Sequence, residues 1–177
     1  MKILTIKDKK EEKVLRQETA LFDFSAEGGP ASGGKKFKKS EINELIKTMR
    51  AAMEKAEGIG LAANQIGLSL KVFVAKVENK FYAVFNPEIV KESVSTVPAE
   101  EGCLSVPQLY GEVSRPERIT LAGYDKNGKK IKIKAWGLLA RVFQHEVDHL
   151  DGKIYIDTAK EVYDAPRSER LQKKNNE

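Results

Sequence analysis

His145 and His149 are the only histidines of the 177-residue chain, Cys103 is its only cysteine, and the two histidines stand in His145-Glu146-Val147-Asp148-His149. Residues four apart in a helix lie one above the other on a single face, so this spacing asks for a helix and lets both imidazoles approach one ion. Glu146, one position on, then stands beside the ion's open side. Steps of about 100° from His145 gather Leu138, Leu139, Val142, Phe143, Glu146, His149 and Leu150 into one sector and leave Arg141, Gln144, Asp148 and Asp151 opposite. His145, Glu146 and His149 therefore fall in the apolar sector, where an unpaired charge costs several kcal/mol or is neutralised. A buried hydrogen-bonded network would hold them. Two histidines with an intervening glutamate favour the metal of a metal-dependent hydrolase instead.

A catalytic metal takes about three protein ligands and keeps one position open. With no third histidine, the remaining ligand is a carboxylate or Cys103. The cysteine lies in Glu100-Glu101-Gly102-Cys103-Leu104-Ser105-Val106-Pro107. Gly102 lets the backbone come close and Pro107 ends regular pairing, as expected of a rigid extended segment that presents a ligand. A lone cysteine is otherwise a small core residue, and nothing in the sequence alone brings it to the helix.

With 41% hydrophobic residues, 177 positions suffice for one compact domain, residues 1–177. The net charge of +5 is mild when spread over a surface and demands no nucleic-acid partner. One cysteine forms no internal disulfide, which fits a reducing compartment. The start, MKILTIKDKKEEK, is too charged for a signal peptide, and no segment is apolar enough to cross a membrane. The expectation is a cytoplasmic protein with no membrane association and no specific nucleic-acid binding.

Met1 to Ile6 reads as a short edge strand, followed by a charged, helical or irregular stretch from Asp8 to Ala20. Glu27 to Lys39, with Gly28, Gly29, Pro30, Gly33, Gly34 and four lysines, reads as a mobile solvated loop rather than an RNA contact. Ser40 reads as the N-cap of a helix running to about Glu57, with Ile42, Leu45, Ile46, Met49 and Met53 facing the core. Lys71 to Val77 and Lys80 to Phe85 form one expected hairpin around Glu78-Asn79. Ile119 to Tyr124 and Ile131 to Ala135 form another around Asn127-Gly128, with Ile-Lys-Ile-Lys alternating between inside and outside. The second helix should run from Gly137 to near Gly152. The expected class is α+β, with antiparallel sheets packed around a central C-terminal helix that carries the HExxH motif, and an N-terminal helix. A charged, frayed tail is expected after residue 158.

Gly58-Ile59-Gly60-Leu61-Ala62-Ala63-Asn64-Gln65-Ile66-Gly67, Glu101-Gly102-Cys103-Leu104-Ser105 and Gln144-His145-Glu146-Val147-Asp148-His149-Leu150 resemble, in order and spacing, the three motifs of the peptide deformylases. The resemblance spans about Ile42 to Asp157. It implies a metal held by Cys103, His145 and His149 with water in the fourth position, and hydroxide attack on the formyl carbon of an N-formylmethionyl nascent peptide with release of formate. Glu146 would be the general base and acid, and the Gln65 amide and the Leu104 backbone N–H would receive the oxyanion. Gly58, Ile59, Gly60 and Gly102 would meet the substrate backbone, while Leu138 and Val142 would line the methionine pocket. The resemblance further implies Fe2+ in the cell, with Zn2+, Ni2+ or Co2+ possible in purified protein, since one thiolate and two imidazoles suit all four. It also implies a transient ribosome contact, and an Arg115–Asp148 pair that orients the helix.

The region before Ile42 departs from the family pattern, because Lys7 to Lys13 is charged and the Gly-rich stretch looks inserted. Two rival readings stand beside the deformylase. A zinc endopeptidase would take Glu161 or Glu169 as its third ligand. A non-catalytic descendant would show a broken motif at Glu146 or Gln65, and neither is broken.

Overall fold

The computed structural model describes residues 1–24 and 37–164. Helix α1 (Lys9–Leu15) starts where the Asp8 carboxylate accepts from the Lys10 and Glu11 amides. Helix α2 (Lys39–Lys55) follows, then strands β1 (Gly60–Ala62), β2 (Val72–Val77), β3 (Lys80–Glu92), β4 (Thr96–Cys103), β5 (Val106–Pro116), β6 (Arg118–Tyr124) and β7 (Lys130–Trp136). Helix α3 (Gly137–Leu150) and the short strand β8 (Val162–Tyr163) complete the described chain. A five-stranded antiparallel sheet has the order β1-β2-β3-β6-β7, and a three-stranded one has the order β4-β5-β8. Helix α3 touches β1, β2, β3, β6 and β7 of the first and β5 of the second, so the expected α+β frame around a central HExxH helix is what forms.

Alternation along β2 explains how the larger sheet is held on both faces. Phe73, Ala75 and Val77 point to α3, where they meet Ala140, Phe143, Val147 and Leu150. Val72 and Val74 point the other way, to Ile42, Met49 and Met53 of α2. A strand buried on both sides reads as a continuous apolar run, which is why Val-Phe-Val-Ala has no polar partner positions. Each Phe- or Met-sized side chain removed from water here contributes about 1.5–3 kcal/mol.

Both hairpins form as the sequence indicates. At the first turn Glu78 and Asn79 take φ of 49° and 63°, the left-handed pair of a two-residue hairpin loop. Strand β3 then runs on to Glu92, well past the expected end at Phe85. Four expectations are corrected. Met1 to Ile6 is extended but is no strand: Leu4 N–H donates to Gln65 O (2.8 Å) and Ile6 N–H to Ser105 O (3.0 Å), one in a 3₁₀ turn and the other in a turn, neither of which offers a ladder. Helix α2 begins at Lys39, with the Glu41 carboxylate accepting from Lys38 N–H at 2.8 Å, so Ser40 lies inside the first turn and is not the cap. The helix ends at Lys55, and Glu57 follows in the left-handed region at φ 57°. The stretch after residue 158 is partly ordered, since Val162 and Tyr163 pair with Gly111 and Tyr110 of β5. Of the expected Gly/Lys-rich loop at 27–39, Lys39 already belongs to α2, while residues 27–36 and the tail from 165 onward lie outside the described residues.

Side chains bearing Cβ are strained at the positive φ of the first hairpin turn, and Asn-Gly relieves that strain. The double change Glu78→Asn with Asn79→Gly should therefore raise stability by about 0.4–1 kcal/mol, read as a higher urea midpoint with an unchanged m-value.

Candidate active site

Three elements deliver the candidate residues to one place. Strand β4 carries Glu101 and Cys103, and both side chains meet α3, Glu101 at His145 and Cys103 at His149. Helix α3 supplies His145, Glu146 and His149, and the 3₁₀ turn Ala63–Ile66 after β1 supplies Gln65. Gly58, Ile59, Gly60, Gln65, Gly102, Cys103, Leu104, Leu138, Val142, His145 and Glu146 all line one open cleft of about 350 Å³. His149, 1% exposed, lies beneath its floor. Leu138 is 54% exposed and sits at the rim, whereas Val142 is buried.

The Cys103 sulfur and one nitrogen of each imidazole all lie within 4.8 Å of one another. His149 Nε2 is 3.0 Å from the sulfur. His145 turns Nδ1 to Glu101 Oε2 at 2.8 Å, which directs Nε2 the other way. Burial pushes the Cys103 thiol up, but the charge on His149 and hydrogen bonds from both imidazoles outweigh it and hold the thiol well below its ordinary value. A thiolate with two imidazole nitrogens at this spacing is a donor set that fits one divalent cation of the softer kind. Among the described residues this is the group suited to a metal. Glu161 is exposed just before β8 and takes no part in it, and Glu169 lies outside the described residues.

Glu146 is buried against β1. A Cβ on Gly60 would stand 2.1 Å from its Oε1, so only glycine leaves room for the carboxylate. Its Oε2 is buried with no hydrogen-bond partner among the described residues. Burial raises the Glu146 pKa to about 7, against the lowering effect of the two nearby imidazoles. A carboxyl held near neutrality can both take and return a proton. Gln65 is oriented from behind: its Oε1 accepts from Ala62 N–H at 2.8 Å, which leaves Nε2 directed at Ser105 Oγ (3.1 Å) and the Cys103 sulfur (3.5 Å). The Leu104 side chain packs on Gly58, where a Cβ would come within 2.7 Å of Leu104 Cδ1.

Helical periodicity puts Arg141 and Gln144 on the polar side of α3, opposite the apolar sector, and in the structure both turn inward. Gln144, 4% exposed, donates to the carbonyls of Pro116 and Ala140. Arg141 donates to Glu101 Oε1 at 2.7 Å and to the carbonyls of Val113 and Val97. The expected Arg115–Asp148 pair is present at 2.7 Å. Arg115 also grips Glu101 through two bonds of 2.6 and 3.0 Å. Glu101 is thus the residue the sequence reading passed over, since it receives two guanidinium groups and the His145 ring. Its place two residues before Cys103, and the i, i+4 relation of Arg141 to His145, are the signals that point to it.

A helix that carries two histidines and a glutamate to a half-buried thiol, inside an α+β frame, marks a metal-dependent hydrolase. The chain matches the family described as Polypeptide deformylase over residues 3–164. It is 47% identical over 123 residues to the peptide deformylase of Natranaerobius thermophilus, covering 69% of this chain and 79% of that one. It is 44% identical over 122 residues to that of Treponema pallidum, strain Nichols, covering 67% and 75%. Among solved structures, a probable peptide deformylase from Synechococcus phage S-SSM7 superposes with a TM-score of 0.74 at 40% identity, covering 89% of this chain and 99% of that one. The Synechococcus elongatus peptide deformylase, solved in complex with actinonin, gives 0.77 at 31% identity, covering 99% and 86%. The chain belongs to the peptide deformylase family, and it is accordingly a hydrolytic enzyme.

Burial raises the pKa of Glu101, but hydrogen bonds from His145 and Arg115 outweigh that and bring it from 4.5 down to about 2. A depressed carboxylate stabilises the fold above its unfolded pKa and loses that contribution as pH falls through the folded one. Wild-type protein should therefore lose on the order of 3 kcal/mol of stability as pH falls through the window from about 4.5 to about 2. Glu101→Gln should start about 3–5 kcal/mol less stable, because Arg141 loses its carboxylate and Arg115 keeps only Asp148, and should show a flatter profile across that window in urea titrations.

Proposed function

We propose that this protein removes the formyl group from the N-terminal formylmethionine of nascent peptides in the cytoplasm, acting as one catalytic domain. The observation that carries the reading is the convergence of Cys103, His145 and His149 beside Glu146 and Gln65 in a cleft that opens onto the free edge of β1. Cys103, His145 and His149 would hold the cation, expected to be Fe2+ in the cell and replaceable by Zn2+, Ni2+ or Co2+. That cation would supply acidification of water and polarisation of the formyl carbonyl.

Every other step falls to the chain's own groups. Strand β1 pairs with β2 on one side only, and Lys76 N–H donates to Ile59 O at 2.8 Å. Polar groups alternate along an antiparallel strand, so those of Gly60 face the unpaired edge, where an extended peptide can add as a further strand. Gly58, Ile59 and Gly102 border that track, and Leu138 and Val142 offer apolar surface to the methionine side chain. Glu146 takes a proton from the attacking water and returns it to the departing amine. The Nε2 hydrogens of Gln65 and the Leu104 N–H would receive negative charge on the former carbonyl oxygen. Formate and a free amino terminus leave.

Formate release from formyl-Met-Ala-Ser tests the proposal on protein purified anaerobically with Fe2+. Glu146→Ala should hold metal yet lower kcat/KM by about 10²–10⁴-fold, and a properly metallated wild type that releases no formate would sink the assignment. Cys103→Ser should lose metal; metal retained there, and lost on Glu161→Ala, would favour the endopeptidase. Gly60→Ala should lower kcat while metal occupancy stays full, because the added methyl displaces the Glu146 carboxylate. Actinonin, the ligand of the Synechococcus elongatus structure, should raise the melting temperature of the metallated wild type.

A further inference from the structure

Asn64 stands next to Gln65 in the turn after β1 and is 1% exposed. Its Nδ2 donates to two backbone carbonyls, that of Leu15 at the end of α1 and that of His149 in the last turn of α3. The Leu15 carbonyl ends α1, and the His149 carbonyl, which also accepts from Gly152 N–H at 3.0 Å, lies in the last turn of α3, so one side chain ties together two helix ends. Because carbonyls only accept, the amide has to present its nitrogen to them. That choice fixes Oδ1 as a buried acceptor, and it has no donor among the described residues. Nδ1 of His149 is likewise buried and without a partner.

These two atoms have complementary needs. His149 directs Nε2 at the Cys103 sulfur, so an imidazole that gives Nε2 to a cation carries its proton on Nδ1. Ligating imidazoles pass that proton's hydrogen bond to an acceptor that fixes tautomer and ring plane. His145 has such an acceptor in Glu101. For His149, we propose that the acceptor is Oδ1 of Asn64, reached when a cation is held by rotation of the two side chains, the Asn64 amide being already bound to the His149 backbone carbonyl. Asn64 is then a positioning residue for the metal, the counterpart of Glu101 on the second histidine. The inference rests on the ligand set proposed above.

Zinc affinity, measured by chelator competition on the full chain, separates this role from a merely structural one through two variants. Asn64→Leu and Asn64→Asp both lose the amide hydrogens that bind the carbonyls, but only aspartate keeps an acceptor. Both should lower the melting temperature of protein stripped of metal. Asn64→Leu should also weaken zinc by about 10–100-fold, while Asn64→Asp should stay near wild type. Equal weakening in the two, or none in Asn64→Leu, overturns the proposal. Should Asn64→Asp not fold, nitrogen-resolved NMR of zinc-loaded wild type decides: a slowly exchanging proton on His149 Nδ1 supports the bond, and an unprotonated or rapidly exchanging Nδ1 overturns it. A wild type that takes up no zinc overturns the ligand set and this inference together. Zinc uptake with the failures just named overturns only the role of Asn64.

Discussion

Glu101, with a side chain only 4% exposed, accepts hydrogen bonds from Arg115, Arg141 and His145. Arg115 belongs to β5, Arg141 and His145 to α3, and Glu101 to β4, so one carboxylate joins the smaller sheet to the central helix. A lone buried carboxylate would cost several kcal/mol and take up a proton. With three donors it stays ionised, and each donor is in turn held in place. Asp148 completes the set from the far side of Arg115. The candidate metal centre depends on this arrangement directly, because the Glu101 oxygen that fixes the His145 ring sits two residues from the cysteine that the same strand delivers.

Seating α3 between two sheets also explains where a one-sided helical wheel goes wrong. A helix lying on a protein surface shows one apolar and one polar face. Here Phe143, Val147 and Leu150 pack on the larger sheet, while Arg141, Gln144 and Asp148 turn toward β4 and β5 and find partners there. The polar side is polar because it meets carbonyls and charges of the smaller sheet, not because it meets water. The charged residues that looked solvent-facing are part of the wiring that holds the helix.

The legibility of the rest follows the same physics. Hairpins with alternating side chains and left-handed turns at Glu78-Asn79 and Gly128 were readable, because period and turn chemistry are local. The HExxH helix and the cysteine motif were readable because their ligand types are so scarce in this chain. The β4–β5 hairpin was not, since Pro98, Pro107 and Pro116 argue against strands. They are tolerated because β4 is an edge strand and because Pro107 and Pro116 fall at the ends of β5, outside its short pairing with β8. The first six residues failed in the opposite sense. Met-Lys-Ile-Leu-Thr-Ile has the composition of a strand, but its hydrogen bonds go to the turns that hold Gln65 and Ser105, which no local pattern announces.

Those two bonds show how the chain end serves the site. Gln65 and Ser105 are the residues that flank the thiol, one donating its amide toward the sulfur and the other lying two positions beyond it. Leu4 and Ile6 anchor their backbones from outside, and the Asn64 amide anchors the adjoining turn from the ends of α1 and α3. A site with a carboxyl near neutrality, a thiol well below its ordinary value and a glycine packed against a carboxylate has little tolerance for displacement. A shift of about 1 Å in a reacting group is enough to cost a hundredfold in rate. At Cys103 the β4–β5 ladder shifts register, and beyond it Leu104 and Ser105 form a turn that gains nothing from ladder hydrogen bonds. The N-terminal segment, the Asn64 amide and the Glu101 network together provide the rigidity that regular secondary structure supplies elsewhere.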